Sequence, residues 1–242
     1  MTGRLLIGTS GFAYPEWKGD FYPPDIRPDG MLSFYAGWFP SVEINYTYQR
    51  LPTEKMLESW AGCTAEDFSF SFKAHRRITH ERRLGDGCAG PLEEFLRSLS
   101  PLGRRLGPVL FGLPPNFKAD LARLRDFLAM LPQGLRFAFE FRNDSWNSEE
   151  TKRLLAERDA AWCVADNDEC DAPLERTASG FVYVRLRKAS YDDEALARWA
   201  TAVGETLADG VDVYCYLKHE DQGRGVQLAR ALKELIPVGG AP

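Results

Sequence analysis

Charged side chains follow a two-residue alternation in several short apolar segments of this sequence. From Phe68 onward phenylalanine alternates with serine, and the polar positions lead to Lys73 and His75. A second segment alternates phenylalanine with polar positions that end in Glu140 and Arg142. Because the side chains of a β-strand point alternately to its two faces, the charged residues of each segment share one face. Basic groups and carboxylates gathered in this way can bind an anion or transfer protons.

Three further segments show the same alternation, and their charges also gather toward the C-terminal end. Their polar residues include Glu43, Asn45, Arg185, Arg187 and Lys218. With Asp166, which ends another segment, five basic side chains face three carboxylates, although the whole chain has a net charge of -5. This local surplus predicts an anionic ligand, since arginine binds carboxylate or phosphate in a bidentate manner and lysine acts as a point charge.

Two arrangements are compatible with so many ionisable groups on interior strand faces. Each buried charge costs several kcal/mol unless it is paired or solvated. The charges therefore either line an open, wet site or form an ion-pair network. In the second case Glu43, Glu140 and Asp166 would neutralise Lys73 and Arg142 and close that end of the sheet.

All three histidines, His75, His80 and His219, lie at or just beyond predicted strand ends. Histidine transfers protons at neutral pH and also binds metals together with carboxylates. The sequence contains neither H-x-H nor H-E-x-x-H, so a divalent metal is a possible cofactor that the spacing does not favour. Trp146 follows Arg142 closely, and it is either a stacking platform for a ligand or part of the loop packing.

Strand-like segments recur at a mean spacing of roughly thirty residues, the length of a βα unit. They begin near Arg4, Ser41, Phe68, Gly107, Leu135, Ala161, Phe181 and Val211. Apolar residues recur at helical spacing in six segments, which are predicted to be helices: 53–60, 91–99, 118–130, 148–158, 192–207 and 226–236. This order predicts an α/β fold, a (β/α)8 TIM-like barrel with a closed, parallel, eight-stranded sheet and outer helices. An open doubly wound sheet is the alternative, which the absence of G-x-G-x-x-G after the first segment disfavours.

We predict a single barrel domain over residues 1–236 and a C-terminal tail over 237–242. Residues 14–29 are rich in proline and aromatic side chains and are predicted to form a structured loop over the barrel mouth. Active sites of such barrels lie at the C-terminal ends of the strands, which is where the charged residues fall.

The composition limits the classes of partner and the compartment. The sequence pI of about 5.4 argues against a surface covered in positive charge for nucleic acid, although the basic stretch 73–83 keeps nucleic acid as a possible partner. The five cysteines are scattered and form no C-x-x-C motif, which indicates a reducing compartment. No segment is long enough to span a membrane, and the first apolar stretch is too short for a signal peptide. We therefore expect a cytoplasmic protein without a membrane partner. The sequence makes no prediction, for or against, about protein partners.

Several blocks of the sequence together resemble the YecE-like family of domains of unknown function. They include GTSGF at 8–12, VEIN at 42–45, FKA at 72–74, ITH at 78–80, LPPNF at 113–117 and FEFR at 139–142. The resemblance spans nearly the whole chain and implies a TIM barrel without an established activity. Two departures make this chain more basic: Arg187-Lys188 replaces a frequent His-Gly, and Lys218-His219 replaces a frequent pair of asparagines.

Three hypotheses follow for the function. The leading one is an enzyme that acts on a phosphorylated sugar, a nucleotide or a nucleic-acid end, with Glu43 or Glu140 as general base. The second is a non-catalytic module that binds an anion or nucleic acid, in which Tyr14, Trp17 and Trp146 stack on the ligand. The third is a metal-dependent hydrolase or sugar isomerase that uses Glu43, His80, Glu140 and Asp166.

Thirteen residues make up the predicted site. The candidate catalytic residues are Glu43, Lys73, His80 and Glu140. The candidate ligand-binding residues are Asn45, His75, Arg142, Trp146, Asp166, Arg185, Arg187, Lys218 and His219.

Overall fold

Eight parallel β-strands form the centre of the structure, a computed structural model that describes residues 2–168, 173–218 and 223–236. The strands are β1 (Leu5–Thr9), β2 (Ser41–Ile44), β3 (Ser69–Lys73), β4 (Leu106–Gly112), β5 (Phe137–Glu140), β6 (Ala161–Asp166), β7 (Phe181–Leu186) and β8 (Asp212–Leu217). They pair in the order β1-β8-β7-β6-β5-β4-β3-β2. The predicted (β/α)8 TIM-like barrel is confirmed, and each strand begins within two residues of the predicted position.

Seven α-helices surround the strands in the described part of the chain. They are α1 (Met31–Ala36), α2 (Glu54–Gly62), α3 (Ala89–Leu99), α4 (Leu121–Met130), α5 (Glu149–Ala156), α6 (Asp193–Ala208) and α7 (Arg224–Leu235). The last six match the predicted helical segments, whereas the six-residue α1 is too short to show an apolar period. Thr53, Asp120, Ser148 and Asp192 cap four of these helices by accepting a hydrogen bond from the backbone N–H three residues later.

The strands come close to full closure where β1 meets β2. The ladder between β1 and β8 is regular, and Ser10 forms an isolated parallel bridge with Glu43 just after β1 ends. The backbone N–H of Gly11 donates to the carbonyl of Glu43 over 2.8 Å. Gly8 permits this approach, because a Cβ at that position would collide with the carbonyl oxygen of Ser41. The strand ends carrying the predicted site are thereby held around one opening.

Alternate residues of the strands form two separate cores. A large apolar core lies between the sheet and the helices, and a smaller one inside the barrel includes Leu110, Ala138, Cys163, Tyr183 and Tyr216. The hydroxyl of Tyr216 lies 2.6 Å from the Oγ atoms of both Ser41 and Ser71. This contact across β2, β3 and β8 shows that the polar phase of these strands points into the barrel.

The aromatic loop at residues 14–29 packs mainly beside α1. Trp17 and Tyr22 are fully buried, and the hydroxyl of Tyr22 donates to the carbonyl of Phe12 over 2.6 Å. Phe21 makes edge contacts with the rings of Phe34 and Tyr35 on α1. These aromatic residues are therefore buried against a helix. No described helix is both long enough and apolar enough to cross a membrane.

The substitution Tyr216→Phe should destabilise the barrel by about 1–3 kcal/mol, because it leaves the buried hydroxyls of Ser41 and Ser71 without their shared partner. The matched control is Tyr46→Phe, which removes a hydroxyl that faces only the Met56 sulfur at 3.4 Å on an exposed surface. Its effect should stay within about 0.5 kcal/mol. Urea unfolding measures both values, and equal effects would mean that the interior hydroxyl contacts add no stability.

Candidate functional site

A buried arginine joins two buried glutamates across the C-terminal end of the barrel. The Arg185 Nη1 donates to Glu140 Oε2 over 2.6 Å, and its Nη2 donates to Glu43 Oε1 over 2.9 Å. These residues come from β7, β5 and β2, and none is more than 3% exposed. Two further donors, Ser10 Oγ and the Tyr183 hydroxyl, reach Glu43 at 2.8 Å each. The arrangement is a closed network with Arg185 at its centre.

The charge of Arg185 keeps both glutamates ionised. Burial alone would raise the pKa of Glu140, but the neighbouring charges of Arg185 and Arg142 lower it to about 2. Burial likewise opposes ionisation of Glu43, and Arg185 with the donors Ser10 and Tyr183 holds its pKa below the ordinary value. A carboxylate with so low a pKa is a weak base at neutral pH. The contacts therefore favour a role for both glutamates in holding Arg185.

One nitrogen of Arg185 lacks a partner within this network. Its Nε is fully buried and makes no hydrogen bond to any described residue. A buried donor without a partner costs about 1–3 kcal/mol, so such atoms are uncommon in native structures. The Nε of Arg185 is thus an unsatisfied donor inside the barrel.

Three basic side chains of the predicted site surround the network. The Arg142 Nε donates to Glu140 Oε1 over 2.9 Å, and the Nζ of Lys73 lies 4.8 Å from the centre of the Tyr48 ring. The guanidinium of Arg187 makes no ion pair or hydrogen bond with the described residues. Burial and then the nearby charge of Arg185 lower the pKa values of both Lys73 and Arg187. Both carboxylates are already ion-paired with Arg185. Their negative charge therefore only partly offsets the repulsion of Arg185 on Lys73 and Arg187.

A cavity of about 760 Å³ opens beside the network, on the side of β5, β6 and β7. Its charged lining from the predicted site consists of Glu140, Arg142, Arg187 and Lys218. Phe141 and Trp162 form an aromatic wall, with ring centres 4.7 Å apart. Lys73 and His80 are not part of this lining and lie on the other side of Glu140. The whole lining carries four basic and four acidic side chains, because Lys152 adds to the three cations and Asp144, Asp168 and Glu175 add to Glu140.

His80 lies in a π-helix (Arg77–Glu81) that follows β3. Its ring contacts Tyr48 edge-on at 5.0 Å, and its Nδ1 lies 2.9 Å from Thr79 Oγ1. Burial and the charge of Lys73 lower the pKa of His80. Arg83 and Leu84 follow with positive φ angles of 48° and 59°, which are uncommon for residues other than glycine. Such local backbone strain and π-helical turns concentrate at functional sites.

The family model described as "Protein of unknown function DUF72" matches residues 6–240. The chain belongs to the DUF72 family. Among curated proteins, it is 32% identical over 155 residues to the UPF0759 protein YecE of Escherichia coli strain K12, a match covering 62% of this chain and 53% of YecE. The chain therefore spans about half the length of that relative. The UPF0759 protein YunF of Bacillus subtilis is 30% identical over 207 residues, covering 81% of this chain and 69% of YunF.

Solved DUF72 structures share the barrel. The DUF72 family protein of Thermotoga maritima superimposes with a TM-score of 0.85 and 26% identity, covering 96% of this chain and 98% of that one. A DUF72 family protein of Enterococcus faecalis gives a TM-score of 0.79 at 17% identity, covering 98% and 97% of the two chains, which shows the fold alone. The resemblance to the YecE-like family that the sequence blocks indicated is thereby confirmed.

Two residues of the predicted site lie away from the mouth of this DUF72 barrel. Asp166 points toward the helix layer, where it accepts a hydrogen bond from the Trp199 indole over 3.2 Å and lies 3.4 Å from Lys188 Nζ. In the alternative of a closing ion-pair network, Asp166 was to neutralise Lys73 and Arg142, but its partners are Trp199 and Lys188. Trp146 is fully buried and donates its indole N–H to the Phe117 carbonyl over 2.7 Å, so it packs the loop and cannot stack on a ligand.

The other predicted ligand-binding residues each have a different place in the structure. Asn45 donates to Glu43 Oε1 over 3.2 Å and so supports the network. His75 turns toward the backbone, with Nε2 3.2 Å from the Gln49 carbonyl and Nδ1 accepting from the Arg77 N–H. Lys218 lines the cavity. His219 falls outside the described residues.

The described residues contain no group of three or more histidine, cysteine, aspartate or glutamate side chains placed to hold a metal ion. The third hypothesis combined Glu43, Glu140, His80 and Asp166 in one metal site. Glu43 and Glu140 instead bind the guanidinium of Arg185, and Asp166 faces the helix layer. The carboxylates that a divalent metal would need are thus engaged with a cation.

Sequence reasoning missed four contributors to the site. Tyr48 and Trp162 lie in segments whose role depends on loop and strand packing rather than on an alternating pattern. Ser10 follows the end of β1 and reaches Glu43. Gly112 ends β4 beside Glu140, where a Cβ would lie 3.4 Å from Glu140 Oε2. The two-residue period from Leu110 assigns Gly112 to the interior face of β4.

The substitution Arg185→Met should cost about 3–5 kcal/mol at neutral pH, because it leaves Glu43 and Glu140 buried without their cation. In the wild type, the lowered pKa of Glu140 stabilises the fold above its ordinary pKa and loses this effect as the pH falls toward 2. In the variant, burial instead favours the protonated carboxyls. The difference in unfolding free energy from wild type should therefore shrink between neutral pH and about pH 5.

Urea unfolding at the two pH values measures this change. The matched control is Arg198→Met, which breaks an ion pair with Glu194 of the same 2.9 Å length on the exposed face of α6. That variant should lose less than about 1 kcal/mol with little pH dependence. A loss for Arg185→Met as small as the control's would contradict the central role of the buried network.

Proposed function

We propose that this protein is an enzyme that binds a small phosphorylated or carboxylated substrate at the C-terminal mouth of the barrel. One observation carries the proposal: the network with Arg185 already engages Glu43 and Glu140, so Lys73 and Arg187 are left without a carboxylate partner among the described residues. A network that only closed the barrel would neutralise these cations. An anion from solution can supply the missing negative charge.

The cavity supplies the groups for anion binding. Arg142 and Arg187 line it together with Lys218, and arginine binds phosphate or carboxylate through two parallel hydrogen bonds. The volume of about 760 Å³ lies in the range of sites for small molecules. Phe141 and Trp162 provide an apolar wall for a sugar or base, which supports a phosphorylated sugar or nucleotide as substrate.

Lys73 and His80 are the groups best suited to the chemistry. Both have a lowered pKa, because burial and neighbouring cations disfavour their charged forms. The imidazole of His80, which is ordinarily close to neutral at this pH, can accept a proton, which Glu140 with a pKa of about 2 does poorly. We therefore move the role of general base from the two glutamates to His80.

Other features support a small molecule over a nucleic-acid backbone. Within the basic stretch after β3, Arg76 lies 3.3 Å from Glu81 and Arg77 lies 3.3 Å from Glu94. Trp17 and Trp146, two of the three aromatic residues proposed to stack on bases, are fully buried. A track along a nucleic-acid strand would need exposed cations and exposed rings.

The substitution Arg187→Gln should weaken the binding of inorganic phosphate by about ten- to a hundredfold, because it removes a charge-assisted contact in the cavity. Isothermal titration calorimetry measures both affinities. The control is Arg76→Gln, an exposed arginine paired with Glu81, which should leave the affinity unchanged within about twofold. Phosphate binding that is absent in the wild type, or equal in wild type and Arg187→Gln, would contradict the proposed site.

The catalytic part has its own test. Phosphorylated sugars and nucleotides that stabilise the protein against heat are assayed for turnover by product analysis. For a converted substrate, His80→Asn should lower kcat by about 10²- to 10⁴-fold if His80 transfers a proton, while phosphate affinity stays near wild type. Ligands that bind through Arg187 without ever being converted would favour the non-catalytic binding module instead.

A further inference from the structure

The barrel wall opens between β5 and β6 toward their C-terminal ends. The two strands pair over only two positions, the second of which joins Phe139 to Trp162. On their other sides both strands stay paired further along the chain. The ladder from β4 to β5 runs up to Glu140, and the ladder from β6 to β7 runs up to Asp166. The two strands therefore part beyond Phe139 and Trp162, while each is held by its other neighbour.

The edge of β6 beyond Trp162 turns backbone groups toward this gap. In parallel strands the N–H and C=O of one residue point to the same side, and successive residues alternate between the two sides. The carbonyl of Asp166 accepts from the Arg187 N–H over 2.7 Å, so Asp166 faces β7. Ala165 therefore faces β5, and its N–H and C=O have no hydrogen-bond partner among the described residues.

The chain that leaves β5 turns backbone groups toward the gap from the opposite side. The carbonyl of Glu140 accepts from the Leu113 N–H over 2.9 Å on the β4 side, so the next residue, Phe141, lies on the β6 side of the alternation. A continued ladder would join Phe141 to Cys163 and Ala165. Within the described chain no such hydrogen bond is formed, so unpaired backbone groups border the gap on both sides.

The cavity beside the buried network runs along this gap. Four successive residues of β6, 162–165, line it, although successive side chains of a strand point to opposite faces of the sheet. A cavity that touches both faces of one strand must follow the edge of that strand. The rings of Phe141 and Trp162 also line it, with centres 4.7 Å apart. An aromatic surface and unpaired backbone donors and acceptors thus meet in one cavity.

Two cations of the anion site belong to the open end of the same gap. Arg142 directly follows Phe141, and the backbone of Arg187 is bonded to Asp166, the last residue of β6. Both side chains line the cavity. A ligand that holds its anion against these arginines therefore has the remaining space along the edge of β6 for its other parts.

We propose that the substrate is a nucleoside monophosphate whose base enters the gap between β5 and β6. The base packs on the rings of Phe141 and Trp162, and its edge forms hydrogen bonds with unpaired backbone groups of β6, including the N–H of Ala165. A nucleobase suits this place because it combines a flat π-face with neighbouring donors and acceptors on one edge. A sugar phosphate lacks the flat face. This inference rests on the proposed anion site and chooses between the two substrate classes that it allows.

Matched ligands test the base on the full chain. Isothermal titration calorimetry compares AMP, GMP, CMP and UMP with ribose 5-phosphate, which carries the same sugar and phosphate without a base. At least one nucleotide should bind about tenfold or more tighter than ribose 5-phosphate, because stacking of one base on aromatic rings is worth about that factor.

The same titrations separate this inference from the proposed function. If inorganic phosphate binds in an Arg187-dependent manner but no nucleotide exceeds ribose 5-phosphate, the base site is wrong and the anion site stands. If Arg187→Gln changes the affinity of neither phosphate nor any nucleotide, both proposals are overturned.

Hydrogen exchange measured by NMR tests the gap in the wild-type protein. The amides of Phe141 and Ala165 should exchange at least about tenfold faster than the amide of Val164, which faces β7 in the ladder. Exchange as slow as that of Val164 would mean that the β5–β6 ladder is closed, and the inference would fail. The tightest nucleotide should slow exchange at Ala165, whereas equal slowing by ribose 5-phosphate would show that the base does not reach this edge.

The substitution Ala165→Pro removes the unpaired N–H. It takes no hydrogen bond from the ladder to β7, and proline is tolerated in a strand where the N–H has no strand partner. The affinity for the tightest nucleotide should fall by about tenfold, and the affinity for inorganic phosphate, the control within the same variant, should stay within about twofold. An unchanged nucleotide affinity would contradict the contact at Ala165. The exchange measurement on the wild type does not depend on the folding of this variant.

Discussion

A guanidinium held between two buried carboxylates is the interaction on which the mouth of this barrel depends. Arg185, Glu43 and Glu140 come from β7, β2 and β5, so the ion pairs connect strands that are not neighbours in the sheet. Burying three charges is costly, and it is tolerated only when their hydrogen-bonding groups are largely satisfied. Ser10 and Tyr183 complete the shell of Glu43, which is why the chain needs polar residues in an otherwise apolar interior.

The same pairing influences the pKa values of the neighbouring cations Lys73 and Arg187. Burial and then the neighbouring charge of Arg185 lower the pKa values of Lys73 and Arg187, while Glu140 and Glu43 oppose the shift. Arginine keeps its proton under physiological conditions, so the repulsion between Arg185 and Arg187 is not relieved by deprotonation. An opposite charge beside Arg187 would lessen it.

The two-residue strand period predicted much of this site, and it did so only where one face of a strand is clearly apolar. In β3 and β5 the phenylalanines mark the helix-facing side, so Lys73 and Glu140 were assigned to the interior. In β6 the interior residues are Cys163 and Ala165, which are as apolar as their neighbours, so Asp166 was given the wrong face. Trp146 lies outside the strands, and only three-dimensional packing determines that it is buried. The barrel was easier to predict because eight repeated units carry the same signal.

The small interior residues of β6 also explain the shape of the site. Ala138, Ala161 and Cys163 place small side chains on the interior face of β5 and β6, whereas Tyr183 and Tyr216 place large rings on the adjoining β7 and β8. The cavity consequently opens off-centre, with Arg142 and Arg187 on its wall and Lys73 beyond Glu140.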